Sequence, residues 1–142
     1  MIQRIQTVWL FLAALVMACI FYFPVYKFDT ATQLPMTIGN DFVGIILAGI
    51  SIVLSLVTIF RFKNRKNQVG LTWLNILVTI GLQAWLFFKV TNFRNDPANS
   101  TLQGYFWIGM FLPLVTLILL FMAKSGIRKD EKLVKSLDRL RD

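Results

Sequence analysis

The chain has no histidine and only one cysteine in its 142 residues. The first absence excludes a His-based catalytic triad and histidine-ligated metal sites. The second excludes an internal disulfide and thiolate metal sites with conventional ligand sets. Acids are scarce too: seven Asp and Glu stand against fifteen Lys and Arg, for a formal charge of +8. No glycine-rich phosphate loop occurs. Asp29, Asp41 and Asp96 read as solvated loop residues, and their spacing requires no carboxylate pair. The expectation is a protein that is not an enzyme and that holds no cofactor or metal.

The absence with most consequence is of charge inside four long apolar stretches. They cover residues 8–26, 42–60, 69–88 and 105–123, and none contains Asp, Glu, Lys, Arg or His. A helix needs about 20 apolar residues to cross a hydrocarbon core, so each stretch is long enough. The chain is 56% hydrophobic, above the roughly 45–50% of soluble domains. Its mean hydropathy is +0.64. The runs are continuously apolar, which argues against the alternating pattern of a membrane barrel. The expected fold class is all-α: a polytopic membrane protein whose four transmembrane helices form an antiparallel bundle. Residues 1–123 would form this domain, and 124–142 a basic amphipathic tail. Cys19 reads as a buried apolar residue within an uncleaved anchor.

Charge is distributed unevenly around these stretches. Twelve of the fifteen basic residues lie before the first, between the second and third, or after the fourth. The other two loops hold Lys27, Lys89 and Arg94. The positive-inside rule then predicts that both termini are cytoplasmic. Trp9, Trp73, Tyr22, Tyr26, Trp85 and Trp107 fall near the stretch ends and read as interfacial anchors. Pro24 suits a helix end, Asp41 a helix cap, and Pro113 a kink.

Polar residues inside the stretches are patterned. Thr72, Asn75, Thr79 and Gln83 recur at spacings of 3, 4 and 4, which puts them on one helical face. Gly44, Ala48, Ser51 and Ser55 form a small-residue stripe on the second stretch. Such stripes let backbones approach, and amides avoid lipid by facing other helices. The simplest reading is helix packing. A second reading is a polar pocket or pathway between helices. Ion carriers generally place a charged group in the membrane, and these stretches have none.

The tail is predicted to follow a helix end at Ser125-Gly126 and to form a short amphipathic helix. Leu133, Val134, Leu137 and Leu140 make its apolar stripe, flanked by Arg128, Lys132, Lys135 and Arg139. Seven basic and four acidic residues from 124 onward give it a net charge of +3. It suits docking on a membrane surface or on a partner protein. The interspersed acids and the lack of aromatics argue against nucleic acid.

Two segments carry a resemblance: Met1-Ile2-Gln3-Arg4-Ile5-Gln6-Thr7-Val8 at the start, and the tail from Ile127-Arg128-Lys129-Asp130 to Asp138-Arg139-Leu140-Arg141. The chain resembles an uncharacterised domain-of-unknown-function family of small four-span inner-membrane proteins of Bacteroidota-type bacteria. The resemblance implies an inner membrane and a Gram-negative source, and it brings no established activity. Both segments fall on the predicted cytoplasmic face, where Gln3, Arg4 and Gln6 would join the tail in one docking surface. The expected function is an accessory or scaffold subunit that contacts membrane lipids and a membrane-protein partner or a second copy of itself. The alternative is a small transporter or lipid-handling protein that uses the polar intramembrane face.

Overall fold

The computed structural model describes residues 2–141, with side chains described for 5–141. Four α-helices dominate it: α1 (Ile2–Cys19), α2 (Phe42–Phe60), α3 (Arg65–Asn95) and α4 (Ile108–Arg141). Around the bundle α1 packs on α2 and α4, and α3 packs on the same two. Contacts between α2 and α3 run in reverse chain order. Asp41 meets Lys89, Ser51 meets Asn75, and the Thr58 carbonyl meets Gln68. The same reversal holds for α1 and α4, where Gln6 meets Gly126 and Pro24, just past the end of α1, meets Gly109.

Helices α2, α3 and α4 are long and apolar enough to cross a membrane, whereas the apolar part of α1, Ile5–Cys19, is shorter. The first apolar stretch runs to residue 26, but its helix stops at Cys19. Ile20, Phe21 and Tyr22 close on residues three positions back, a tightened last turn. Pro24 then supplies no N–H to continue the helix. At about 1.5 Å per residue, α2 is about 28 Å long and α4 about 51 Å, against a hydrocarbon core of about 30 Å. Outward faces stay apolar: Phe11, Val53, Leu77, Phe87, Phe111 and Ile118 are all more than half exposed.

Two loops meet at one end of the bundle, an arrangement the sequence did not suggest. Strand β1 (Tyr26–Phe28) pairs antiparallel with β2 (Gly104–Phe106), and Met36 bridges to Tyr26. Tyr26 is therefore buried at 1% exposure, packed edge-on against Phe28 and Phe106. This corrects its reading as an interfacial anchor; Tyr22, by contrast, is 85% exposed.

Helix α4 holds Pro113 within it and runs on through its expected end at Ser125-Gly126. The tail is thus no separate helix. Gly126 lies under α1, where Gln6 Nε2 donates to its carbonyl at 2.9 Å. Beyond it Ile127 is fully buried and Asp130 pairs with Arg65 of α3 at 3.3 Å. These contacts hold in helical form a dipeptide that would end an unsupported helix.

Glycine is required where α4 begins. Gly109 N–H donates to the Pro24 carbonyl at 3.0 Å. A Cβ on Gly109 would lie 2.6 Å from that oxygen and 2.7 Å from the Phe23 oxygen. Gly109→Ala is expected to lower unfolding stability in detergent by about 1–3 kcal/mol. Gly81→Ala, with nothing within 4 Å of the new carbon, should leave it unchanged or slightly raised. Equal melting temperatures for the two variants would show that this close approach is not constraining.

Candidate functional site

The polar residues of α2 and α3 converge on a buried seam. Small side chains make it: Gly44, Ala48, Ser51, Ser55 and Thr58 are the buried positions of α2. Across them lie Gln68, Thr72, Asn75 and Thr79 of α3. Asn75 is central and fully buried. Ser51 Oγ donates to its Oδ1 at 2.6 Å, and its Nδ2 donates to Ser55 Oγ at 2.7 Å. Ser51 and Thr79 hydroxyls lie 3.2 Å apart. Gln68 Nε2 donates to the Thr58 carbonyl at 3.2 Å.

Thr72 and Gln83 share the stripe but not the seam's bonding. The Thr72 hydroxyl donates back to the Gln68 carbonyl of its own helix at 2.8 Å. Gln83 Oε1 is buried with no hydrogen-bond partner among the described residues. The register that sets Ser51 against Asn75 brings Val43, Gly44 and Leu47 level with Gln83, and none carries a polar side chain.

A second cluster, absent from the sequence reading, sits at the ribbon end. Asp41 begins α2, and its carboxylate accepts from Gly44 N–H at 3.2 Å. Trp85 Nε1 donates to the same oxygen, Oδ2, at 2.6 Å. Lys89 Nζ reaches Oδ1 at 2.7 Å. Asp41 is only 7% exposed, which corrects its reading as a solvated loop residue. It also gives Trp85 a hydrogen-bonding partner beyond an interfacial position. Burial alone would push its carboxyl up, but the bonds from Lys89 and Trp85, the Lys89 charge and the Gly44 N–H outweigh it and hold it below its ordinary value. Beside the pair lies a cavity of about 260 Å³ lined by Val25, Met36, Ile38, Leu86 and Val90. In the sequence, the cue was Trp85 and Lys89 four residues apart; what they faced was not encoded locally.

The opposite end of the bundle is basic. Gln6, assigned to a docking surface by the sequence, is 4% exposed and engaged with Gly126. It is a packing residue, which corrects that assignment. Gln3 and Arg4, named with it, lie outside the described residues as far as their side chains are concerned. Leu133, Leu137 and Leu140 are exposed at 48%, 64% and 84%. Arg128, Lys132, Lys135 and Arg139 are exposed and Val134 half-buried. Lys135 pairs with Glu131 one turn back at 2.9 Å. Lys124 lies 3.3 Å from the centroid of the Trp73 ring.

Two outcomes test these assignments. Asn75→Leu removes the Ser55 hydroxyl's donor and leaves the Ser51 hydroxyl only Thr79, and should cost about 0.6–2 kcal/mol in detergent unfolding; no loss would mean that the seam does not hold the bundle. Asp41 has its carboxyl depressed on folding, so its stabilisation is present above the unfolded value of about 3.9 and fades as pH falls through the folded value. Asp41→Asn should lower the melting temperature at neutral pH and flatten its fall below about pH 4. A wild-type acid profile retained in the variant would assign that loss to other carboxylates.

Among the described residues no group of three or more His, Cys, Asp and Glu is placed to hold a metal ion. No curated protein and no solved structure matches the chain. A family model does, over nearly the full length: the chain belongs to the family described as Domain of unknown function (DUF4293), matched across residues 2–140.

Proposed function

We propose that the chain is a four-span antiparallel bundle in a bacterial inner membrane with both ends in the cytoplasm. It acts there as a non-enzymatic accessory or scaffold subunit that docks a membrane-protein partner. The observation that carries this reading is the free leucine stripe of α4. Leu133, Leu137 and Leu140 stand exposed on a helix whose preceding turns are anchored to α1 and α3. A rigid helix that presents apolar residues at i, i+4 and i+7 is suited to lie against another protein. The closed seam supports the same reading. Asn75 spends its amide on Ser51 and Ser55, which favours packing over passage.

The second reading, a small transporter or lipid-handling protein, draws its support from the unpartnered Gln83 oxygen and the cavity beside Asp41.

The test is capture of the tagged protein in mild detergent followed by mass spectrometry. A tail deletion at Lys124 is a poor variant, because it also removes the buried Ile127 and the Arg65 partner Asp130. Leu133→Gln, Leu137→Gln and Leu140→Gln together change only exposed positions. The expected result is one stoichiometric membrane partner with the native chain, lost in the triple variant while melting stays unchanged. A homo-oligomer without a partner overturns the accessory role.

A further inference from the structure

Two cavities adjoin at the basic end of α4, and they differ in character. The first, about 370 Å³, is lined by Phe121, Lys124, Ser125, Arg128, Lys129 and Lys132. The second, about 450 Å³, lies between α1 and α4 and is lined by Ile5, Trp9, Met122 and Leu133 among others. Ser125 and Lys129 border both. One cavity gathers four cations; its neighbour is largely apolar.

Among the described residues none of the four forms an ion pair. Lys124 rests on the Trp73 ring, which leaves its charge in place; Asp130 pairs with Arg65, and Glu131 pairs with Lys135 while also feeling the Arg128 charge. Burial, and next the Arg128 charge, lower the Lys124 ammonium from its ordinary value. An anion between them would relieve that repulsion.

Depth along α4 points the same way. Lys124 is the first charged residue after the uncharged run 105–123. Arg128, one turn on, lies about 6 Å further along the axis. A headgroup layer adds about 5–7 Å to each side of a hydrocarbon core of about 30 Å. Lys124 and Arg128 therefore fall at the level of lipid phosphates when the apolar run fills the core.

We propose that this pair of cavities is a binding site for an anionic glycerophospholipid. The headgroup phosphate sits among Lys124, Arg128, Lys129 and Lys132, and an acyl chain enters the core past Trp9 and Met122, at the core-side edge of the second cavity between α1 and α4. The site rests on the membrane placement proposed above and not on the docking of a partner.

The test is native mass spectrometry of the full chain in mild detergent, titrated with phosphatidylglycerol or with phosphatidylcholine of the same acyl chains. The wild type should favour phosphatidylglycerol by at least about tenfold. Arg128→Gln with Lys129→Gln and Lys132→Gln should abolish that preference; all three positions are exposed. Arg61→Gln with Lys63→Gln and Lys66→Gln removes equal charge from the same end outside the cavity and should keep it. Equal affinity for the two lipids, or equal loss in both triple variants, overturns the site. Displacement of the lipid by millimolar inorganic phosphate would show a free-phosphate site and overturn it as well. Membrane fractionation of the same cells reads the placement separately, so its failure is distinguishable from that of the lipid site.

Discussion

The α2–α3 seam sets the register on which much else depends. Apolar faces alone define a helix pair loosely, because an apolar side chain packs almost equally well one turn up or down. A buried amide does not slide in this way. Asn75 is satisfied only where Ser51 and Ser55 lie opposite it. That register then delivers Lys89 and Trp85 to Asp41 at one end and Gln68 to the Thr58 carbonyl at the other. The small residues of α2 permit the approach, and Asn75 specifies its level.

The two ends of the bundle are built by different means. At one end short strands and a 3-10 turn, Ile38–Asn40, cover the helix ends around Tyr26. Gly104 and Gly109 allow the backbones to close there, since a Cβ at either would strike backbone oxygen. At the other end α4 runs on in one piece, tied to α1 through Gln6 and to α3 through Arg65 and Trp73. One end is closed over a half-buried ion pair; the other is open, basic and edged with exposed leucines. This asymmetry supports placing docking and lipid contact at the basic end.

Some local signals in the chain describe the structure well. Asp41 caps α2, and the small-residue stripe of α2 faces the polar face of α3. Others mislead because they are outvoted by contacts distant in sequence. Ser125-Gly126 reads as a helix stop, yet Gln6, 120 residues away, and the buried Ile127 hold it helical. Tyr26 reads as an interfacial ring, yet a three-residue pairing with Gly104–Phe106 buries it. Strands of three residues carry too little alternation to be recognised.

The sequence by itself determined the helical class, the four apolar stretches, the uneven charge and the polar stripes, because each is a periodic or compositional property of consecutive residues. Only the tertiary structure decided the Asp41–Trp85–Lys89 cluster, the unbroken α4, the burial of Gln6 and the place of the Gln83 Oε1, which has no hydrogen-bond partner among the described residues. Each of these depends on which side chain arrives opposite which, and that is fixed by register between helices far apart in the chain.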